Sequence, residues 1–434
     1  MIRNFLLAAA SSVVLFPCGQ PEQKDLKTII QNDERFAKVE SMALDLVRGG
    51  FNAGDAYGEV WIRDYNTFIE LSMEVMPDSL IRKNLNLFFA FQGEDGNIVD
   101  GFIPRVKADL DKEDGYKYRF SDLAPDYVAH KNTVETDHET SLIQAVAKYV
   151  RKSGNRAYLQ EKVGELTVYE RMAKAVDFLL HHKMDEKYAL LTGATTVDWG
   201  DVQPEHFWGV EIDENTHYAI DIYDNAMFVL ALGDLIEMAE DKNEKAKWEE
   251  ERTAVIKKIN EFLWDEANRK FYPHIYLKDS PFPANFDENK IYYQGGTAVA
   301  ALAGILSDEE IDYAYAKMKE NQQAAHAQTI GLTVYPTYPA GYFKNVSMYP
   351  YGYQNGGDWT WFGARMVHAL VKAGKLEQAY EALTPMLDRV IANNAFNEWY
   401  TPAGEPMGSG TFKGEAGVLY TAIQMLRNAV NEKQ

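Results

Sequence analysis

The chain has one cysteine, Cys18, in 434 residues. Beyond it no disulfide and no cysteine-based metal site can form. After the N-terminus no apolar run is long enough to cross a bilayer. Basic residues are also short: 44 Lys and Arg stand against 65 Asp and Glu, a formal charge of −21. A phosphate backbone needs a basic face, so this balance excludes a nucleic-acid partner. It also argues against simple electrostatic docking to anionic lipid. No GxGxxG or phosphate-binding loop is evident, and no cofactor is expected. Extended β-patterned runs are few.

What remains is a folded globular chain, with 46% hydrophobic and 25% charged residues. Length alone suggests about three domains, a prior that large barrels break. Aromatic content is 13%, with 26 Tyr and 8 Trp. Such rings fill a large core or line a sugar site. Residues 1–18, MIRNFLLAAASSVVLFPC, stand apart from the fold. Arg3 gives a short positive start, and Phe5 to Phe16 form an apolar stretch of signal-peptide length. Cys18 closes it, which resembles a bacterial lipoprotein signal whose cysteine is lipidated. Pro17 and Phe16 depart from that pattern, which prefers small residues there. The plainer alternative is an ordinary cleaved signal with an incidental cysteine. The expectation is export to the cell envelope, as a periplasmic or outer-membrane lipoprotein, with membrane attachment through Cys18.

Residues 19–434 read as one unit of helices joined by long loops. Val168, Met172, Ala175, Val176 and Leu179 recur at helical spacing, as do Leu376, Tyr380, Leu383 and Leu387. Roughly a dozen helices follow, at about 26–48, 65–91, 137–151, 164–183, 222–240, 244–264, 294–305, 307–322, 358–373, 376–393 and 412–430. Helix pairs recur without an exact sequence repeat. The fold class is all-α, a single (α/α)6 toroid of helical hairpins with long functional loops. In a toroid alternate loops meet at one end, so loops distant in sequence can share a pocket.

Four loops carry unusual chemistry. Gly58-Glu59-Val60-Trp61-Ile62-Arg63-Asp64-Tyr65-Asn66 leads into an apolar helix. Asp64 and Arg63 there suit either a helix cap with an ion pair or a clamp on sugar hydroxyls. Thr195-Thr196-Val197-Asp198-Trp199-Gly200-Asp201 sets two carboxylates around an indole. An indole that excludes water raises a carboxyl pKa, as a general acid requires; an Asx turn is the bland alternative. Tyr349-Pro350-Tyr351-Gly352-Tyr353-Gln354-Asn355-Gly356-Gly357-Asp358-Trp359-Thr360-Trp361 packs rings and amides into one loop. Phe396-Asn397-Glu398-Trp399-Tyr400 offers either a surface carboxylate or a general base.

The order of these segments resembles the six-hairpin glycosidases, the glucoamylase-like, trehalase-like, debranching-type and exo-mannosidase-like enzymes. The phrases that carry it are WIRDYNTFIEL, TTVDWGD, YDNAMFVLAL, FLWDEANRKFYPH, QNGGDWTWFGA and NEWYTPAGEPMGSGTF, over about residues 50–430. The resemblance implies that Arg63 and Asp64 hold the terminal sugar of an oligosaccharide or polysaccharide. It gives the general acid to Asp198, with Asp201 a close competitor, and the general base to Glu398. Trp61, Trp199, Asn355, Trp359 and Trp361 would line the pocket. Two carboxylates about 6.5–9.5 Å apart leave room for a water and invert the anomeric centre. The implied activity is hydrolysis of α-linked glucosides or mannosides. Many relatives carry a β-sandwich for which this chain has no room.

Two other readings compete. A sugar epimerase or polysaccharide lyase on the same toroid would need a base such as His138, His206, His217 or Tyr353. A non-catalytic glycan-binding lipoprotein would lack the carboxylate pair. No metal is expected: Asp109, Asp111 and Asp114-Gly115 only faintly resemble a calcium loop, and the adjacent His181 and His182 point to different helix faces.

Overall fold

The computed structural model describes residues 25–110, 118–131, 134–207 and 212–432. The leader with Cys18, and Asp111, Asp114 and Gly115, lie outside the described residues. Thirteen α-helices are found among the described residues. They are α1 (Leu26–Gln31), α2 (Glu34–Val47), α3 (Ile62–Ser72), α4 (Asp78–Ala90), α5 (His138–Ser153), α6 (Val168–His182) and α7 (Ile222–Met238). The rest are α8 (Lys242–Phe262), α9 (Gln294–Leu302), α10 (Asp308–Ala324), α11 (Thr360–Lys372), α12 (Leu376–Asn393) and α13 (Lys413–Glu432). None of them is long and apolar enough to cross a membrane.

The burial of each helix tells where it sits. α7, α9 and α11 are apolar or buried nearly all round, whereas α8 and α10 bury only a stripe. α3, α5, α7, α9, α11 and α13 each pack on the next, and α13 packs back on α3, so six helices close an inner ring. The others form the outer layer, with α6 on α5, α8 on α7 and α12 on α11. This is the expected all-α toroid.

Two expected helices are each split. The stretch 26–48 breaks at Asn32–Asp33, where the Asp33 side chain accepts from Arg35 N and starts α2 anew. The stretch 65–91 breaks before Pro77, which stands at the head of α4 because proline has no N–H to give an interior turn. α3 also begins three residues earlier than expected, at Ile62. The strands are short hairpins in the loops. β1 (Val60–Trp61) pairs with β2 (Gly101–Pro104), which pairs with β3 (Tyr127–His130). Loops that precede the inner helices gather at one mouth of the ring.

Candidate active site

At that mouth a cavity of about 120 Å³ is lined by Trp61, Arg63 and Asp64 from the start of α3, and by Trp199 and Asp201 from the mid-chain loop. Tyr353 and Trp359 come from the loop before α11, and Glu398 and Phe412 from the segment before α13. Tyr57, Asp100 and Glu135 complete it. Three of the four loops singled out in the sequence by their carboxylates thus meet here, and the aromatic loop joins them.

The first segment is held by the β1–β2 pair. Trp61 lies opposite Gly101, and a Cβ at that glycine would fall 2.6 Å from the indole. Ile62 N donates to Asp100 O at 2.7 Å, which fixes the turn into α3. Arg63 is not a free clamp. Its Nε donates to Asp137 Oδ2 at 3.0 Å, its Nη2 donates to Glu135 Oε1, and its guanidinium carbon lies 5.2 Å from the Trp199 ring centre. Asp64 keeps its carboxyl in the pocket. Burial pushes its pKa up to about 7, Arg63 opposes that shift, and Glu398 adds to it.

The two mid-chain aspartates go to different places. Asp198 is fully buried behind Trp199, with φ +59°. Its Oδ1 accepts from Gly296 N at 2.7 Å, in the first turn of α9. A Cβ at Gly295 or Gly296 would lie 2.6 or 2.7 Å from the Asp198 carboxyl oxygens, so both glycines are required for this approach. Burial and then nearby Asp221 raise its pKa well above the ordinary range, against the Gly296 hydrogen bond. The acid favoured by sequence resemblance therefore anchors a helix and does not line the pocket. Asp201 does line it, with Oδ1 accepting from Gln354 Nε2 at 2.8 Å. Gly200, at φ +146°, lets the loop pass over that glutamine, where a Cβ would lie 2.4 Å from Gln354 Oε1.

Glu398 enters from a hairpin in which Trp399–Tyr400 pairs with Pro406–Met407. Its Oε1 accepts from the Tyr57 hydroxyl at 2.9 Å and its Oε2 from Ser409 N at 3.1 Å. Gly408, at φ +68°, makes room: a Cβ there would sit 2.4 Å from Oε2. Burial raises the Glu398 pKa; the bonds from Ser409 and Tyr57 lower it, and Asp201 raises it further. The carboxylate is thus fixed by two donors while its proton affinity stays above that of an exposed glutamate.

The rings form an edge-to-face cluster. Trp199 meets Trp359 edge-on at 5.2 Å and Trp361 edge-on at 4.6 Å. Trp199 and Trp359 reach the cavity, whereas Trp361 is buried beneath them. Asn355 is also removed from the site. It is fully buried, donating to Tyr338 O and Met348 O at 3.0 Å and accepting from Tyr338 N at 2.8 Å, so it ties the loop to itself. Asp358 belongs to a buried pair with Arg389.

Of the candidate bases for a lyase or epimerase, Tyr353 lines the pocket. Its hydroxyl pKa is raised by burial and then by Asp201 and Glu398, which is the wrong direction for a base. His138 lies behind Glu135, accepting or donating at 3.0 Å, and burial keeps it neutral. His206 and His217 line a separate outer cavity. Asp100, Glu135 and His138 bring one ligand atom each within 4.8 Å of one another. Glu135 is already shared between Arg63 and His138.

Sequence reasoning missed Tyr57, Asp100, Glu135 and Phe412. Tyr57 stands immediately before the Gly58–Asn66 segment already singled out. Asp100 and Glu135 sit in short polar contexts, NIVDGFIP and TVETDHET, with no signal of their own.

A family model described as glycosyl hydrolase 94 superfamily, catalytic domain, matches residues 22–422. Among curated proteins none matches the chain. Among solved structures, a GH63 mannosylglycerate hydrolase from Thermus thermophilus, in complex with Tris and D-glycerate, aligns with a TM-score of 0.63. It is 15% identical, over 88% of this chain and 99% of that one. A rhamnosidase from Klebsiella oxytoca with rhamnose bound aligns at 0.59 and 13% identity, over 91% of this chain and 64% of that one. At such identities the likeness is one of fold.

Proposed function

The chain is a glycoside hydrolase of the glycosyl hydrolase 94 superfamily, and from that premise we propose that it cleaves α-linked glucosides or mannosides with inversion, using Asp201 as general acid and Glu398 as general base. The observation that carries this reading is the shared pocket: both carboxyls line one cavity, on different loops, with an aromatic floor beside them. Asp201 protonates the glycosidic oxygen as the bond to the anomeric carbon breaks. Glu398 takes a proton from the water that attacks the opposite face of the sugar. Its two fixed donors, Tyr57 and Ser409 N, orient the carboxylate toward that water. Asp64 accepts from hydroxyls of the terminal sugar. Arg63, held by Glu135 and Asp137, keeps Trp199 and the α3 entry in register.

The test is a panel of α-linked gluco- and manno-oligosaccharides, with the released anomer followed by NMR. A β-anomer as first product supports the reading. Retention, an unsaturated sugar, or tight binding without release overturns it. We further propose that the chain is exported and anchored through Cys18. Cys18→Ala should move it from the membrane fraction to the soluble envelope fraction, and unchanged partitioning would refute the anchor.

A further inference from the structure

The inner helices that begin at the pocket end at a second chamber, of about 490 Å³. It is lined by the middle and later turns of all six, with Asn66, Lys148, Arg365, His368 and Lys372 among its walls. Arg365 stands out. It is 6% exposed, and its guanidinium carbon lies over Trp361 at 4.5 Å. Its Nη1 is buried with no hydrogen-bond partner among the described residues. A guanidinium does not shed its proton, so burial cannot neutralise it. A buried N–H left without an acceptor is costly. Its place matters too: Arg365 is the sixth residue of a 13-residue helix, so it is not there to cap the last carbonyls.

The neighbours share the imbalance. Lys148 Nζ donates to Asn66 O at 2.6 Å, and burial pulls its pKa down to about 8. Lys372 Nζ makes a long contact of 3.4 Å with Leu302 O. On the acidic side, Arg151 takes both Asp234 and Glu237. Glu70 and Asp234 both attract Lys148, and Asp234 also attracts Lys372. His368 spends its Nε2 on Val418 O at 2.9 Å.

We propose that this chamber binds a small oxyanion of the sulfate or phosphate type, held by Arg365 and Lys148, at the mouth of the ring opposite the sugar pocket. The guanidinium supplies two parallel donors and the ammonium a point charge, the pairing that oxyanions favour. Trp361 separates the bound anion from Trp199, so the site is distinct from the hydrolytic one.

The experiment is sulfate titration of the full chain by calorimetry and by thermal unfolding, with sodium chloride at matched ionic strength as control. Wild type should bind one sulfate saturably, with an unfolding temperature that chloride does not reproduce. Arg365→Met keeps the stem over Trp361 and removes the charge. It should bind sulfate at least tenfold more weakly, and in sulfate-free buffer it should unfold no earlier than wild type. Lys148→Met should also weaken binding, and it decides the matter if Arg365→Met does not fold. Absence of saturable binding in wild type overturns the proposal. So does a sulfate response unchanged in the variants, which would put the anion elsewhere. Neither readout depends on hydrolysis, so its failure is separable from failure of the catalytic assignment.

Discussion

The two mid-chain aspartates make opposite predictions when each is changed to asparagine. Asp201→Asn removes a proton donor from the pocket without changing its shape, and the amide oxygen still accepts from Gln354. General acid catalysis contributes about 10²- to 10⁴-fold. The loss therefore corresponds to about 2.7–5.4 kcal/mol of barrier at 1.36 kcal/mol per tenfold. Asp198→Asn meets a different demand. Burial already holds that carboxyl toward its neutral form, its Oδ1 function as acceptor for Gly296 N is kept by the amide, and asparagine tolerates φ +59°. Activity should stay within about tenfold and the unfolding temperature nearly constant, since neither a charge nor a hydrogen bond is lost. Asp198→Ala, by contrast, strands Gly296 N–H and should cost about 1–3 kcal/mol of stability. The assay is kcat/KM on two substrates, an oligosaccharide and an aryl glycoside with a good leaving group. A missing acid matters less where the leaving group needs no proton, so Asp201→Asn should be partly spared on the aryl substrate. If Asp198→Asn silences the enzyme while Asp201→Asn does not, the assignment of roles is wrong.

Three further outcomes follow from the same geometry. Glu398→Gln should lower turnover about 10²- to 10⁴-fold with the fold intact, and wild-type rates would remove it as the base. Gly408→Ala should cost activity without removing any catalytic group, because its Cβ would displace Glu398 Oε2; kinetics indistinguishable from wild type would show that the carboxylate is not fixed there. Stability should fall as pH rises from 5 to 7. Asp64 and Glu415, with pKa values pushed up to about 7, and Asp221 and Asp234, to about 6, keep protons in the folded chain that the unfolded chain releases near pH 4. His138 and His368, held neutral by burial, pull the other way below their ordinary value of 6.5 but are fewer. An unfolding temperature that is flat or rises across that range would contradict this balance.

The toroid was legible because its helices are long and periodic, and the inner ones are more apolar than the outer. Helix breaks at Asp33 and Pro77 were not, because an apolar stripe runs through both and hides the local cap. Arg63, Asp64, Trp61, Trp199, Trp359, Asp201 and Glu398 line one cavity. Asp198 and Asp201 differ by three positions, and what separates them is backbone conformation, φ +59° at one and +146° at Gly200 between them. Residue types alone do not reveal such a turn. Asn355 and Trp361 have the right chemistry for sugar, yet one ties the loop to itself and the other supports Trp199 from below. Tyr57 and Glu135 act by bonding to named site residues, a relation visible only in three dimensions.

The six inner helices all run in the same direction. Each brings about half an elementary positive charge to its N-terminus, so the ring presents about three at the mouth that holds the pocket. Five carboxylates and one guanidinium line that mouth. The scaffold's own dipoles thus offset most of the excess negative charge before a single proton is taken up. Thread the ring in the reverse sense, and the same acids would face carbonyl ends and hold their protons more tightly. The polarity of the backbone therefore decides at which mouth an ionised base can persist.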